Sequence, residues 1–270
     1  IFHSQPLCPL IHLFDKNTFE HLASSTYQGQ GPDEITIIGH VGIDETNRRF
    51  FVSDHGKLKI FAYDLDSVLT TPEYQPSVKI DMKKKLFPDD YLYLNDTLCI
   101  AKIIEPIGNN DYKPSVARWN MATGEINPMP YEYPDLKKVR FIYAASAEHQ
   151  LYVQCYTQYD LMTICDFNGN LKCNIYGPKW VNEKTQTQHY SLGVEFCGDK
   201  ILALYSGGDH RTDAYYPTKF LVFDLNGNYL KTLETGYMIT DFCYDKENNR
   251  LIINLNDEIQ FTYLDLEGII

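Results

Sequence analysis

The sequence predicts an all-β protein assembled from six copies of a four-stranded antiparallel unit, and three observations carry the prediction. First, six times an apolar run ends at an acid or amide, turns tightly and resumes. The clearest copies are Phe220 to Asp224 followed by Leu225-Asn226-Gly227-Asn228, and Leu161 to Asp166 followed by Phe167-Asn168-Gly169-Asn170; weaker copies end at Asp15, Asp64, Asn120 and Asp265. Successive copies lie 41–58 residues apart, the range of a repeated four-stranded unit. Second, another short-turned hairpin lies between copies, as at Val41 to Ser53 and Phe242 to Ile253. Third, runs such as Phe220-Leu221-Val222-Phe223 do not alternate, so both faces of those strands must be covered. Together these describe a six-bladed β-propeller over residues 1–270 as a single domain, in preference to a large sandwich, which would not produce six similar turns.

Each unit reads strand a, turn, strand b, loop, strand c, turn, strand d. The first unit, Ile1 to Tyr27, shows strands b, c and d. The next four run from Ile35 to Met82, Asp90 to Pro130, Val139 to Tyr176 and Tyr190 to Leu233. The last, Tyr237 to Ile270, shows a, b and c, so both end units are incomplete and offer strand edges for pairing. No segment reads as a helix.

Composition narrows the function classes. At 270 residues and 44% hydrophobic content the chain can bury a large core. A formal charge of −12 repels a nucleic-acid duplex over most of the surface, so nucleic acid is not an expected partner. No stretch reaches the roughly 18–20 apolar residues of a membrane-crossing helix. The chain starts at Ile1 rather than methionine, which leaves room for a targeting segment upstream. Its seven cysteines, Cys8, Cys99, Cys155, Cys165, Cys173, Cys197 and Cys243, are odd in number and form no CxxC pair. Most sit in apolar runs, so free buried thiols are expected and a disulfide framework is not.

Gly29-Gln30-Gly31-Pro32-Asp33-Glu34, directly after the first strand d, resembles the GxGPxE loop of the TolB-like six-bladed propellers of Bacteroidetes. The Asp-Phe-Asn-Gly-Asn and Asp-Leu-Asn-Gly-Asn turns, and Tyr176-Gly177-Pro178 after a strand d, are similar to that family and to the wider NHL-type propellers. The resemblance spans essentially the whole chain; the loop is moderately specific, the turns are widespread. It implies an exported protein, in many members lipid-anchored, facing the periplasm or cell surface. It names no activity.

In such a unit the d-to-a and b-to-c connections emerge at one end of the sheet, and the long connections are mostly of these kinds. They are Tyr27 to Glu34, Lys83 to Asp89, Tyr131 to Lys138 and Tyr176 to His189 for d-to-a, and Glu105 to Pro114 and Gly207 to Pro217 for b-to-c. The c-to-d stretch Asp66 to Gln75 is an exception. Long loops carry function more often than tight turns do, so this end is the expected binding face. The 207–217 loop combines glycines with His210, Arg211, Asp213, Tyr215 and Tyr216, a set that suits a sugar or peptide and equally suits a solvated loop packed on its neighbour. Tyr112 and Lys113 lie on the second b-to-c loop. Trp180, near His189, suits capture of a carbohydrate or apolar side chain, or a wedge between blades.

For Gly29 to Glu34 a mechanical role is favoured: the glycines admit positive φ and the acid can bind backbone amides. No HxH, HExxH, calcium-loop, GxSxG or phosphate-loop pattern occurs, so no cofactor, metal ligand or catalytic residue is assigned. The reading is an exported binding or scaffold propeller for a protein, peptide or glycan. Its rival is a propeller hydrolase, lactonase or lyase using converging acids and histidines, among them Asp33, Glu34, His40, Arg140 and His189, at the central channel. A purely structural interaction disc is the third.

Overall fold

The computed structural model of the chain describes residues 9–108, 111–134, 136, 138–212 and 216–270. These residues fold into two compact units, Ile1–Pro128 and Met129–Ile270, that hold six antiparallel sheets between them.

In the first unit β1 (Pro9–Phe14) pairs with β2 (His21–Tyr27). A four-stranded sheet follows in the order β3 (Ile38–Asp44), β4 (Arg49–Asp54), β5 (Lys59–Asp64), β6 (Ser77–Asp81), and a second in the order β7 (Phe87–Asn95), β8 (Leu98–Gly108), β9 (Asp111–Asn120), β10 (Glu125–Pro128). The second unit holds β11 (Phe141–Ser146), β12 (Leu151–Tyr156), β13 (Leu161–Asp166), β14 (Leu171–Tyr176); then β15 (Thr187–Cys197), β16 (Lys200–Asp209), β17 (Lys219–Asp224), β18 (Tyr229–Glu234); and the three-stranded β19 (Ile239–Asp245), β20 (Arg250–Leu255), β21 (Phe261–Asp265). Every strand pairs with its sequence neighbour, so each sheet is a propeller blade, and the expected unit boundaries hold to within a few residues. The expected strand b of the first unit, like Cys8, lies outside the described residues.

The core lies between successive sheets. In the second unit Val153, Cys155, Met162 and Ile164 meet Tyr190, Val194, Ile201 and Ala203 of the next sheet, whose other face supplies Leu202, Leu204 and Phe220 to a cluster with Phe242, Leu251 and Ile253. The first unit repeats the arrangement: Phe51 and Ile60 pack with Ala101, Ile103 and Trp119 on one side, while Phe50, Val52 and Phe61 pack with Leu10 and Ile11 on the other. This is why β12 is buried at all six positions while the outer strand β18 is largely exposed. Of the described cysteines Cys99, Cys155, Cys165 and Cys197 are buried free thiols, Cys173 is half-buried and Cys243 is exposed.

The repeated acid or amide is the hydrogen-bond acceptor of its turn. Asp224 Oδ1 accepts from the amides of Asn226 (2.8 Å) and Asn228 (2.9 Å), and Oδ2 from Asn228 Nδ2 (2.8 Å). Asp166 makes the same three bonds with Asn168 and Asn170. Asp15 and Asn120 each accept two turn amides. Gly169 and Gly227 close their turns at φ +78° and +85°.

Two expectations are corrected. The chain does contain a helix, α1 (Leu65–Thr70), in the long c-to-d connection. Asp64 there accepts the Ser67 amide at 2.8 Å, as a turn acid would, but position +3 is serine rather than glycine. The chain here continues into a helical turn that buries Val68 and is pinned by a bidentate Arg48–Asp66 pair. The 105–114 connection is not an open loop. Glu105 pairs with Lys113 and Pro106 with Tyr112, so β8 and β9 extend as a two-stranded ribbon.

Gly124 and Gly169 both hold positive φ, but a Cβ at Gly124 would sit 3.4 Å from Ile80, whereas one at Gly169 would meet Pro130 at 2.3 Å. Gly124→Ala is expected to cost about 1–2 kcal/mol for the backbone alone, and Gly169→Ala roughly 1–3 kcal/mol more. Denaturant midpoints check this; equal losses would show that the close approach relaxes freely.

Candidate functional site

In the second unit two d-to-a connections bring aromatic side chains together. Tyr176 ends β14, and the chain turns through Gly177-Pro178-Lys179 to Trp180, whose amide donates to Gly177 O at 3.1 Å. Asp160, in the b-to-c connection of the same sheet, holds this turn twice. Its carbonyl accepts the Gly177 amide at 2.8 Å, and its Oδ2 accepts the Lys179 amide at 2.9 Å. Only glycine fits at 177, because a Cβ would lie 2.2 Å from the Asp160 carboxyl carbon.

Trp180, half-buried, lies 5.0 Å from Tyr176, 5.9 Å from Tyr133 and 6.3 Å from Tyr159, ring centre to ring centre. Tyr133 comes from the preceding d-to-a connection, and its hydroxyl meets that of Tyr176 at 3.2 Å. Tyr131, beside it, accepts Asn174 Nδ2 at 2.8 Å. Tyr156 and Tyr159 are buried and support the cluster from below, while Tyr176 keeps 49% of its surface exposed. The result is a rigid aromatic surface with phenol hydroxyls at its rim and prolines 134 and 178 exposed beside it.

Beneath the turn lies His189, only 1% exposed. Its Nδ1 is 3.3 Å from the Tyr205 hydroxyl and 3.7 Å from Asp160 Oδ1, and its Nε2 is 3.5 Å from Thr185 Oγ1. His189 is thus an internal support rather than a ligand contact. Burial pushes its imidazole below the ordinary range, with the Asp160 charge pulling the other way and Lys179 adding to the lowering.

The remaining expected residues separate into three groups. His210 is exposed, its Nδ1 2.9 Å from Gln186 O at the end of the β15–β16 ribbon. Arg211 forks onto Asp209 at 3.1 and 2.7 Å, which raises the guanidinium and holds the Asp209 carboxyl well below the usual range. Tyr216 is half-buried, and Asp213 and Tyr215 lie outside the described residues. Tyr112 and Lys113 sit in the first unit, on the β8–β9 ribbon.

The first unit has its own group of titratable side chains where β3 faces β7. His40 Nδ1 lies 3.0 Å from Asp90 Oδ1, and Lys102 Nζ lies 2.8 Å from Asp89 Oδ2. Burial is the largest influence on Asp90 and works to raise it, but His40, Lys102 and the Tyr91 amide together bring the carboxyl below its ordinary value. The Gly29–Glu34 loop is mechanical in its contacts: Glu34 Oε2 accepts the Gly31 amide at 2.7 Å, and Lys57 Nζ donates to the carbonyls of Gly31 and Glu34. Asp54, fully buried, accepts the amides of Thr36, Ile37, Gly56 and Lys57. Among the described residues no three His, Cys, Asp or Glu side chains gather as a metal site.

Sequence reasoning singled out Trp180 but missed Tyr133, Tyr176 and Asp160 as its partners. A usable signal was present: Asp54, the last residue of β4, and Asp160, in the b-to-c connection after β12, are acids at the same end of their sheets, and both receive amides of a d-to-a connection.

Residues 13–97 match a family model described as a 6-bladed beta-propeller, under a third of the chain. No curated protein matches the sequence. Among solved structures, a member of the DUF4221 family from Bacteroides vulgatus is 12% identical, with 94% of this chain and 86% of that chain covered and a TM-score of 0.61. The extracellular domain assigned to a one-component system of B. thetaiotaomicron is 11% identical, with 95% of this chain covered and a TM-score of 0.58; this chain spans 31% of that one. Likeness at these identities shows the fold, an all-β propeller with four-stranded antiparallel blades.

His55 shares with His189 an imidazole pushed down by burial, against the pull of Asp89 and Asp54. An unfolded chain takes up these protons near the ordinary histidine value of 6.5, whereas the folded chain resists them. Stability is therefore full above that pH and falls as pH drops through it. The depressed carboxylates Asp44, Asp90 and Asp96 contribute stability that is lost only as pH falls below the ordinary aspartate value of 3.8. The thermal midpoint is expected to fall between about pH 7 and pH 5, and His189→Gln to remove part of that fall. A flat profile in this window would contradict the burial argument.

Proposed function

We propose that the chain is an exported binding module of the TolB-like kind, facing the periplasm or cell surface, that captures a peptide or glycan through the aromatic surface of Tyr133, Tyr176 and Trp180. One observation carries the reading: large rings stay partly exposed although their positions are fixed from beneath by Asp160, Tyr156 and Tyr159. Keeping aromatic surface in water has a cost that burial elsewhere would avoid, and rigid aromatics give contact area at little entropic cost on binding. The export component draws support from the extracellular assignment of the B. thetaiotaomicron structure, and among the described residues no helix is long and apolar enough to cross a membrane. His210 and Arg211 extend the same end of the neighbouring sheet; Tyr112 and Lys113 belong to the first unit.

The test is binding to arrayed peptides and glycans by the intact chain and its variants. Tyr176→Ala is expected to weaken the strongest hit about tenfold or more, with Lys113→Ala unchanged. The reverse pattern would move the site to the first unit and sink this assignment.

A second reading, acid–base catalysis, draws on the His40–Asp90 pair, whose side chains are 26% and 38% exposed. A carboxylate that orients a reachable imidazole is the arrangement of a general base. Under that reading a panel of ester, lactone and glycoside substrates yields a turnover that His40→Ala abolishes. Turnover that survives His40→Ala, or none at all, removes it.

A further inference from the structure

We infer that the Tyr133–Tyr176–Trp180 surface takes a single saccharide ring, an inference that rests on the binding reading above and narrows it to one ligand class. Three features of the surface select among ligands.

The first is the angle between rings. Tyr133 and Tyr176 are inclined at 77°, Tyr133 and Trp180 at 65°, and Tyr176 and Trp180 at 60°. No two of these rings face each other in parallel. A flat aromatic ligand, such as a nucleobase, gains most from a slot between parallel faces, and these angles offer none. A chair-shaped ring needs only one aromatic face for its C–H groups and accepts inclined edges around it.

The second is size. The ring centres lie 5.0 to 6.5 Å apart, so the surface matches one six-membered sugar ring rather than an extended chain. Its supporting rings, Tyr156 and Tyr159, are buried and add depth without lengthening it.

The third is the placement of polar groups. The hydroxyls of Tyr133 and Tyr176 form a pair at 3.2 Å, in which one oxygen donates and both keep accepting capacity. Exposed Lys179, whose Nζ lies 3.5 Å from Gly207 O, keeps further donors on the same turn. An apolar centre bordered by donors and acceptors complements a pyranose, whose C–H face is apolar and whose perimeter carries hydroxyls. The turn itself is fixed by the two Asp160 bonds, so little ordering remains for the ligand to impose.

The experiment is saturation-transfer NMR on the intact chain. The probes are methyl glycosides of glucose, galactose, mannose and N-acetylglucosamine, set beside a pool of short tyrosine- and proline-containing peptides. At least one glycoside is expected to show transfer, strongest at ring C–H protons of one face. Tyr176→Ala should reduce its affinity about tenfold, and Tyr176→Phe, which keeps the ring, about threefold. Thermal melts confirm that each variant is folded, and Tyr176→Phe decides the matter if the alanine variant is not. Peptide binding that Tyr176→Phe or Tyr176→Ala weakens, with no glycoside transfer, overturns the saccharide inference and leaves the binding reading standing. Binding of neither class, or binding indifferent to Tyr176, overturns both.

Discussion

Burial of the inner strands on both faces is the constraint on which everything else in this molecule depends. A single antiparallel sheet with apolar residues on both sides cannot be stable in water alone, so each blade needs a neighbour. Val153 and Leu202 show the outcome: each is sealed, and each looks toward a different inter-sheet core. Outer strands are released from the demand, and their exposed Tyr229 and Leu230 reflect that. Because the strands are held so firmly, connections at the sheet ends are free to differ in length and content.

Turn chemistry divides the two ends of each sheet. At the a-to-b and c-to-d end, acids and amides are consumed within their own turns: Asp166 and Asp224 accept turn amides, and Asp44 accepts the Asn47 amide together with the Asn47 and Arg49 side chains. At the other end Asp54 and Asp160 bind amides of a connection distant in sequence. The first arrangement specifies local geometry; the second fastens one loop to another and sets what that end can display.

The sequence made the blades legible because their signals are local. An apolar run ending in Asp-x-Asn-Gly-Asn contains both the strand and its stop, so boundaries such as Val139 to Tyr176 could be placed closely. The helix at Leu65 escaped notice because it begins with the same acid that opens the repeated turns, and nothing local marks that the chain will coil on rather than turn back. The ribbon at 105–114 escaped because Glu, Pro, Gly and Asn there carry turn chemistry, whereas cross-strand pairing of Glu105 with Lys113 is a tertiary outcome. The candidate site was half legible. Trp180 stood out as a rare residue, but Tyr133 lies 43 residues before Tyr176, the residue whose hydroxyl it meets, and nothing local joins them. His189 showed the opposite failure: a polar residue beside a loop looked displayed, yet it is buried where the β15–β16 pairing is irregular, together with Tyr190 and Ser191.

The hold that Asp160 exerts on the Gly177–Trp180 turn runs mainly through main-chain amides, not through the side chains that face solvent. Path and display are therefore separately encoded. A lineage carrying this framework can exchange the residues at 176, 179 and 180 without losing the course of the chain, provided 160 stays acidic and 177 stays glycine. Such a division lets one rigid scaffold be re-tuned to new surfaces by a few substitutions that leave the chain path intact, and it locates where inherited variation would concentrate and where it would be forbidden.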